Sequence, residues 1–420
     1  MLIRRLSLLS AASLLVSVGI ATPAHALARL ACGRTVTSSV TLSADIGPCP
    51  GDGLIVAGSG ITVNLGGHTV RGNGDPTNDQ VGVRLENVSG VVVTNGTVAA
   101  FAAGVALENT TRSTVKAIRA KNNRSTGEIN HGDGIVADGS SNNQILGNDV
   151  SGNGPFSGIS MLDGANNNLV RGNNIHDNTL VRAGPEQVGP RQEDYGVRFD
   201  TDASFNTVDS NTILANGSAG VNAPGFQHTD NVITNNLIQG NGQQGIIEPG
   251  INYLLAGNVV GGNGFDQFEV PGRTKRMFDG ILLFGNLGGG PGTIRNNVVT
   301  GNAHDGIALV TLGFTFFGTY HPPVVDHIQD NVVLNNGHDG IFLQCEFVAD
   351  AFPRHVCLSS SPPHEGEHVL RNTALGNGGA NAGTSAWDLH DESPNCDGNQ
   401  WLDNTGRTVN PPCTLTRSPG

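Results

Sequence analysis

Residues 145–153 read ILGNDVSGN: an aliphatic residue, two of any kind, Asn, one of any kind, a second aliphatic, two of any kind, and Asn again. The phrase returns at 170–178, 208–216, 233–241, 255–263, 294–302, 328–336 and, with Ala374 as the second apolar residue, 369–377. Two Asn columns result. One runs Asn148, Asn173, Asn211, Asn236, Asn258, Asn297, Asn331, Asn372; the other runs Asn153, Asn178, Asn216, Asn241, Asn263, Asn302, Asn336, Asn377. A unit this short cannot bury an apolar face alone, so the copies must stack as a solenoid. The shortest intervals are 22 and 25 residues, and single apolar residues alternate with polar ones, which implies three short strands per coil rather than helices. Stacking sets like residues about 4.8 Å apart. At that distance an Asn amide can donate to one neighbouring coil and accept from the other, and Asn also tolerates the left-handed conformation of a tight corner.

The 60 Gly and 14% charged residues suit a turn-rich all-β chain. Arg4 and Arg5, the apolar run 6–20 and the small-residue site at Ala24 and Ala26 have the form of a secretory signal over residues 1–26. Without those residues, 21 basic face 36 acidic side chains, a net −15, which argues against nucleic acid as a partner. No later run is long and apolar enough to span a bilayer, so an exported, soluble monomer is expected. Six cysteines form three local pairs, Cys32 with Cys49, Cys345 with Cys357 and Cys396 with Cys413, expected as disulfides in an exported chain.

The expected organisation is an N-terminal cap over 27–60, a solenoid over 61–377 and a C-terminal cap over 378–420. Each coil also carries Gly followed by Val or Ile, at Gly82, Gly104, Gly134, Gly158, Gly196, Gly220, Gly245, Gly280, Gly306 and Gly340. Residues one and three past the Gly should point inward, and those two and four past it outward. Glu248 falls at an inward position; either the strand stops there or a carboxylate is buried. Coil-length variation concentrates at the two corners flanking this strand, and long loops in compact repeats tend to be functional. The outward side of the Gly-led strand is therefore the expected working surface.

The Gly-[Ile/Val]-x-Leu strand, the Asn phrase and the opening LGGHTVRG at 65–72 together resemble the right-handed parallel β-helix proteins of the pectin-lyase-like superfamily. The resemblance covers residues 61–377, and the crossover rule for parallel strands gives the same hand. It implies a secreted carbohydrate-active protein that binds and cleaves an extended polysaccharide as a hydrolase or a lyase, or else a non-catalytic binding solenoid. It supplies no catalytic residue. The Asn-Thr-Asp and Gly-His-Gly blocks of polygalacturonases and the Trp-Ile-Asp-His block of pectate lyases are absent, and His364-Glu365 only partly matches the mannuronan-epimerase motif.

Candidates come from the outward columns. Four past each Gly stand Glu86, Glu108, Asp138, Leu162 and Asp200; two past it stand Arg84, Ala106, Val136, Ser160, Arg198 and Asn222. Adjacent carboxylates repel, which raises an apparent pKa or recruits a cation. Asp138 and Asp200, two coils apart, suit the wide spacing of inverting glycosidases. Arg198 and Tyr195, with calcium on Asp200, would instead serve a lyase that neutralises a uronate and abstracts its proton. Arg84, Glu86, Glu108, Ser160 and Asn222 are expected to contact substrate. Asp279, Asp305 and Asp339, preceded at the last two positions by His304 and His338, form a second column that could hold a divalent ion; corner Asp residues that bond backbone are the alternative. No cofactor is required, and calcium is the ion these acids would take.

Overall fold

The computed structural model describes residues 26–77, 79–125, 132–179, 194–200, 202–223, 228–248, 250–265, 277–285, 291–312, 326–347, 366–379, 386–392, 396 and 398–415. Its strands form two parallel sheets, one of 24 strands and one of 14. Most repeats give one strand to the smaller sheet and two, separated by a corner, to the larger; in Val92–Ala99 and Thr114–Lys121 the two run on as one. Ser157–Leu162, Leu169–Arg171 and Asn174–His176 make one such coil, and Tyr195–Phe199 starts the next. Three strands per turn is what the repeat length predicts.

The corners explain the Asn phrase. Asn173 Nδ2 donates to Asn211 Oδ1 of the next coil at 2.9 Å and to the carbonyl of Ile145 in the preceding coil at 2.9 Å. Its own Oδ1 accepts from Asn148 Nδ2 and the Asn148 backbone N–H, both at 2.9 Å. Every polar atom of the buried amide is thus used, and the same pattern carries both columns along the stack. The left-handed residue is not the ladder Asn but the one before it, as at Gly147, Gly172, Ser210, Asn235 and Asn296, with φ between 55° and 66°. A third ladder, Asn143, Asn168 and Asn206, runs at the remaining corner, with Asn143 Nδ2 3.2 Å from Asn168 Oδ1. No aliphatic phrase surrounds it, so it does not stand out in the sequence.

Inside, Val83/Leu85, Val105/Leu107, Ile159/Met161, Val197/Phe199, Ile307/Leu309 and Ile341/Leu343 are fully buried, as the alternation requires. Both alternatives for Glu248 hold together: its strand is Ile246–Glu248, and its side chain is fully buried.

The stack continues past 61–377 at both ends. Arg34–Val36 pairs with Leu54–Val56, which pairs with the strand of Val83, and Cys32–Cys49 closes this end. At the other end Trp401 pairs with Val369, and Asn404 Oδ1 accepts from Asn372 Nδ2 at 3.0 Å. Cys396–Cys413 closes it. The terminal coils keep strand register without the full phrase; the C-terminal one retains a single ladder residue, Asn404, and the N-terminal one has no Asn, and for that reason they read as caps. Two of the three expected disulfides are thus present among the described residues. The third, Cys345 with Cys357, lies outside the described residues, although Cys345 itself falls on the strand Ile341–Phe347.

Candidate functional site

Strand register turns the outward positions into true columns. Arg84, Ala106, Val136, Ser160, Arg198 and Asn222 follow one another coil by coil, as do Glu86, Glu108, Asp138 and Leu162. Asp200 follows Phe199, the partner of Met161, so Leu162 separates Asp138 from Asp200.

This face is sunken rather than solvated. Ala106, Val136, Ser160, Arg198 and Asn222 are all buried although they point away from the main core. Val81, Ala103, Ala106 and Val136 form a separate apolar cluster on it, with Leu162 packed against them. Burying polar groups costs free energy unless they are bonded, and Ser160 and Arg198 each have a bonded partner. Ser160 Oγ donates to Asp133 Oδ1 at 2.6 Å. Arg198 Nη2 donates to Asp200 Oδ2 at 2.8 Å, and its guanidinium lies 3.9 Å from the centre of the Phe156 ring and 5.9 Å from that of Tyr195. Ion pairing and a cation–π contact together fix the Arg198 side chain.

Arg84 spans three coils. Its Nε donates to Asp52 Oδ2 at 2.9 Å, and Nη1 pairs with Glu108. Half-burial nevertheless raises the Glu108 carboxyl above its ordinary range; Arg84 opposes this, while Glu86, Asp138 and Asp52 add repulsion.

Three members of these networks, Asp52, Asp133 and Phe156, do not emerge from the sequence. Asp52-Gly53 before Leu54 repeats the pattern of Asp133-Gly134 before Ile135, which could have identified it. Phe156 belongs to no repeat position.

The Asp279, Asp305, Asp339 column is a hydrogen-bonded ladder. Asp279 Oδ1 accepts from His304 Nδ1 at 2.8 Å and from the Asp305 N–H at 3.1 Å. Asp305 Oδ1 accepts from His338 Nδ1 and the Asp339 N–H, both at 2.8 Å. Asp339 accepts from the Trp387 N–H at 2.5 Å and from His390 Nδ1 at 2.7 Å. Carboxylates met by so many donors do not fit calcium, which needs six to eight oxygens. His304, Asp305 and His338 do bring ligand atoms within 4.8 Å of one another. The two rings, however, stack at 4.8 Å with planes 2° apart, which keeps their outer nitrogens parallel rather than convergent. Burial would lower His304, but its bonds to Asp279 and Asp305 dominate and push it up to about 10. The Asp305 bond likewise raises His338. His364-Glu365 lies outside the described residues.

A stack of parallel three-stranded coils, held by internal Asn ladders and carrying a sunken polar face, is a β-helix. The sequence matches the family model described as right handed beta helix region over residues 45–179 and 125–264, more than half of the chain, and the protein belongs to that family. No curated protein matches it. Among solved structures, the Dettilon tailspike protein is similar at TM-score 0.51 and 14% identity, covering 87% of this chain; the chain spans 62% of the tailspike's length. A variant of the periplasmic alginate epimerase AlgG is similar at TM-score 0.49 and 14% identity, over 87% of this chain and 77% of that one. The Azotobacter vinelandii mannuronan C-5 epimerase AlgE4 A-module is similar at TM-score 0.47 and 17% identity, over 88% and 89%. Likeness at these identities concerns the fold.

Proposed function

We propose that this β-helix belongs to an exported protein and binds an extended polysaccharide along the outer face of the Gly-led sheet, from the coil of Arg84 to that of Asn222. The observation that carries the proposal is the immobilised polar floor. Ser160 and Arg84 are fixed by partners in adjacent coils and Arg198 by Asp200 in its own coil, so their ordering cost falls in folding and not in binding. These groups stand in one column at multiples of the ~4.8 Å coil rise, with the apolar Ala106 and Val136 between Arg84 and Ser160, which suits a ligand that is itself a repeating chain. Half-buried Phe156 and Tyr195 add apolar ring faces beside the polar groups, the mixture that sugar-sized ligands use. Terminal disulfides accord with an oxidising compartment.

Within this reading, Asp138 and Asp200 perform inverting hydrolysis. Two coil rises separate their backbones by ~9.6 Å, near the wide limit for an acid and a base with water between them. Arg198 orients Asp200 as the base, and Tyr195 borders the same pocket. The test is incubation with neutral and uronic-acid polysaccharides, with and without calcium, following reducing ends and unsaturated products. Asp200→Asn should abolish release of reducing ends at an unchanged melting temperature; an unaffected rate removes Asp200 from the chemistry. Unsaturated products would transfer the role to Arg198 and Tyr195 as a lyase. One observation favours a second reading, binding without turnover: Asp200 and Glu108 are both engaged by arginines. Retained glycan binding with no product from any substrate would establish it.

A further inference from the structure

The coil 109–127 contains Arg112, Lys116, Arg119, Lys121 and Arg124 and no acid, in a chain whose net charge is −13. All five side chains are exposed. Among the described residues none of them forms an ion pair; Arg112 Nε reaches only Ser89 Oγ, at 3.3 Å. The fold does not demand these cations. At the same register the coils on either side place Thr94 and Leu146 beside Lys116, Thr97 and Asp149 beside Arg119, and Ala99 and Ser151 beside Lys121. The single acid among them, Asp149, is already bonded to His176 Nε2 at 3.0 Å.

Beside this band, at the corner between the two strands that most coils give the larger sheet, runs an open groove of about 530 Å³. Its floor is made of small corner residues, Gly67, Gly96, Ala117, Gly147 and Gly172, and Arg119 stands on its wall with Asn95, Asp149 and Asn174. A Cβ at Gly67, Gly147 or Gly172 would meet nothing within 4 Å, so these corners leave the groove open.

We propose that the basic band and this groove form a second binding site, for an acidic polysaccharide bearing carboxylate or sulfate groups. Exposed cations each contribute little in water, so a site of several selects a ligand with several anionic groups. Amides and backbone along the groove bond hydroxyls. No aromatic side chain lines it, which disfavours the base stacking that single-stranded nucleic acids use. The site lies on the larger sheet, apart from the face proposed above.

The test uses the full chain with immobilised polygalacturonate and chondroitin sulfate as probes, neutral dextran as control, and biolayer interferometry. Both acidic glycans should bind, with affinity falling at least tenfold between about 50 and about 300 mM salt, and dextran should not bind through this site. The triple variant Lys116→Gln/Arg119→Gln/Lys121→Gln should bind at least tenfold more weakly with unchanged melting, whereas Arg295→Gln should not differ from wild type. Asp200→Asn should keep full binding to the acidic probes, which separates this site from the other face. Unchanged binding by the triple variant overturns the proposal. So does loss of binding in Asp200→Asn alone, or equal affinity for a DNA duplex that the triple variant also loses.

Discussion

Glu248 interrupts an inward column that elsewhere holds Leu85, Leu107, Met161, Phe199 and Leu283. One of its oxygens accepts the Gly250 N–H at 2.8 Å; the other is buried with no bonding partner among the described residues. Burial pushes the carboxyl up from 4.5 to about 8, and the Gly250 bond offsets this only in part. The native state therefore holds this proton more tightly than the unfolded chain does. Stability from this group is greatest below pH 4.5 and is eroded as pH rises toward 8, by on the order of 3 kcal/mol at pH 7 if the whole difference is expressed. Glu248→Gln should leave stability near pH 4 little changed and raise it at pH 8; urea denaturation at both values checks the sign. A variant that keeps the wild-type pH dependence refutes the buried-proton account. The two-residue alternation marks Glu248 as an exception in the sequence, but its protonation depends on the absence of any solvent path, which periodicity does not encode.

At the scale of the element, the Gly-led strand and the second Asn column are one device. A Cβ on Gly220 would lie 2.5 Å from Ile238 Cγ2, 2.7 Å from the Gly245 carbonyl and 2.9 Å from Asn241 Nδ2. The strand start must approach the Asn amide and core residue that close its own coil, and the Gly carbonyl of the next, this closely for the stack to keep its register. Gly220→Ala should therefore destabilise by about 2–3 kcal/mol through overpacking. At Gly172, where φ is 66°, a Cβ would meet nothing within 4 Å, and Ala there should cost only ~1 kcal/mol, from its left-handed backbone. Denaturant midpoints of the two variants check this order, and an equal cost would mean that the close approach is not what the strand Gly serves. Spacing reveals these glycines in the sequence, whereas their reason is a contact between coils. The His–Asp column is legible to the same partial extent. Asp279, Asp305, Asp339, His304 and His338 stand in repeat, but His390, which completes it, comes from beyond the last full phrase and stacks on Phe342 at 4.9 Å. Likewise, the columns of the outer face follow from the Gly register, while the pairing of Arg198 with Phe156 and of Arg84 with Asp52 joins residues from outside it.

At the scale of the whole molecule, a stack in which each coil touches only its neighbours distributes stability along one dimension, and its ends are where it opens. Both ends are closed by covalent loops of equal sequence separation, 17 residues, in Cys32–Cys49 and Cys396–Cys413. Behind the second, Trp401 is buried, with Nε1 donating to Asp391 Oδ2 at 2.8 Å, and Asn399 Nδ2 donates to the same oxygen at 3.0 Å. A loop of this size constrains the unfolded chain by about 3 kcal/mol. In a globule that amount would be shared by every residue; here it should act locally. Replacing Cys396 and Cys413 by Ser should release amide protection in residues 386–415, where Leu389–Asp391 and Gln400–Leu402 pair with the preceding coil. Residues 205–241, several coils away and held on both sides by Asn ladders, should exchange as in wild type. Hydrogen exchange followed by mass spectrometry of the oxidised wild type and the double variant makes the comparison. Uniform loss of protection along the chain would show that the coils unfold as one cooperative unit and that the terminal disulfides stabilise the whole stack, not its edge.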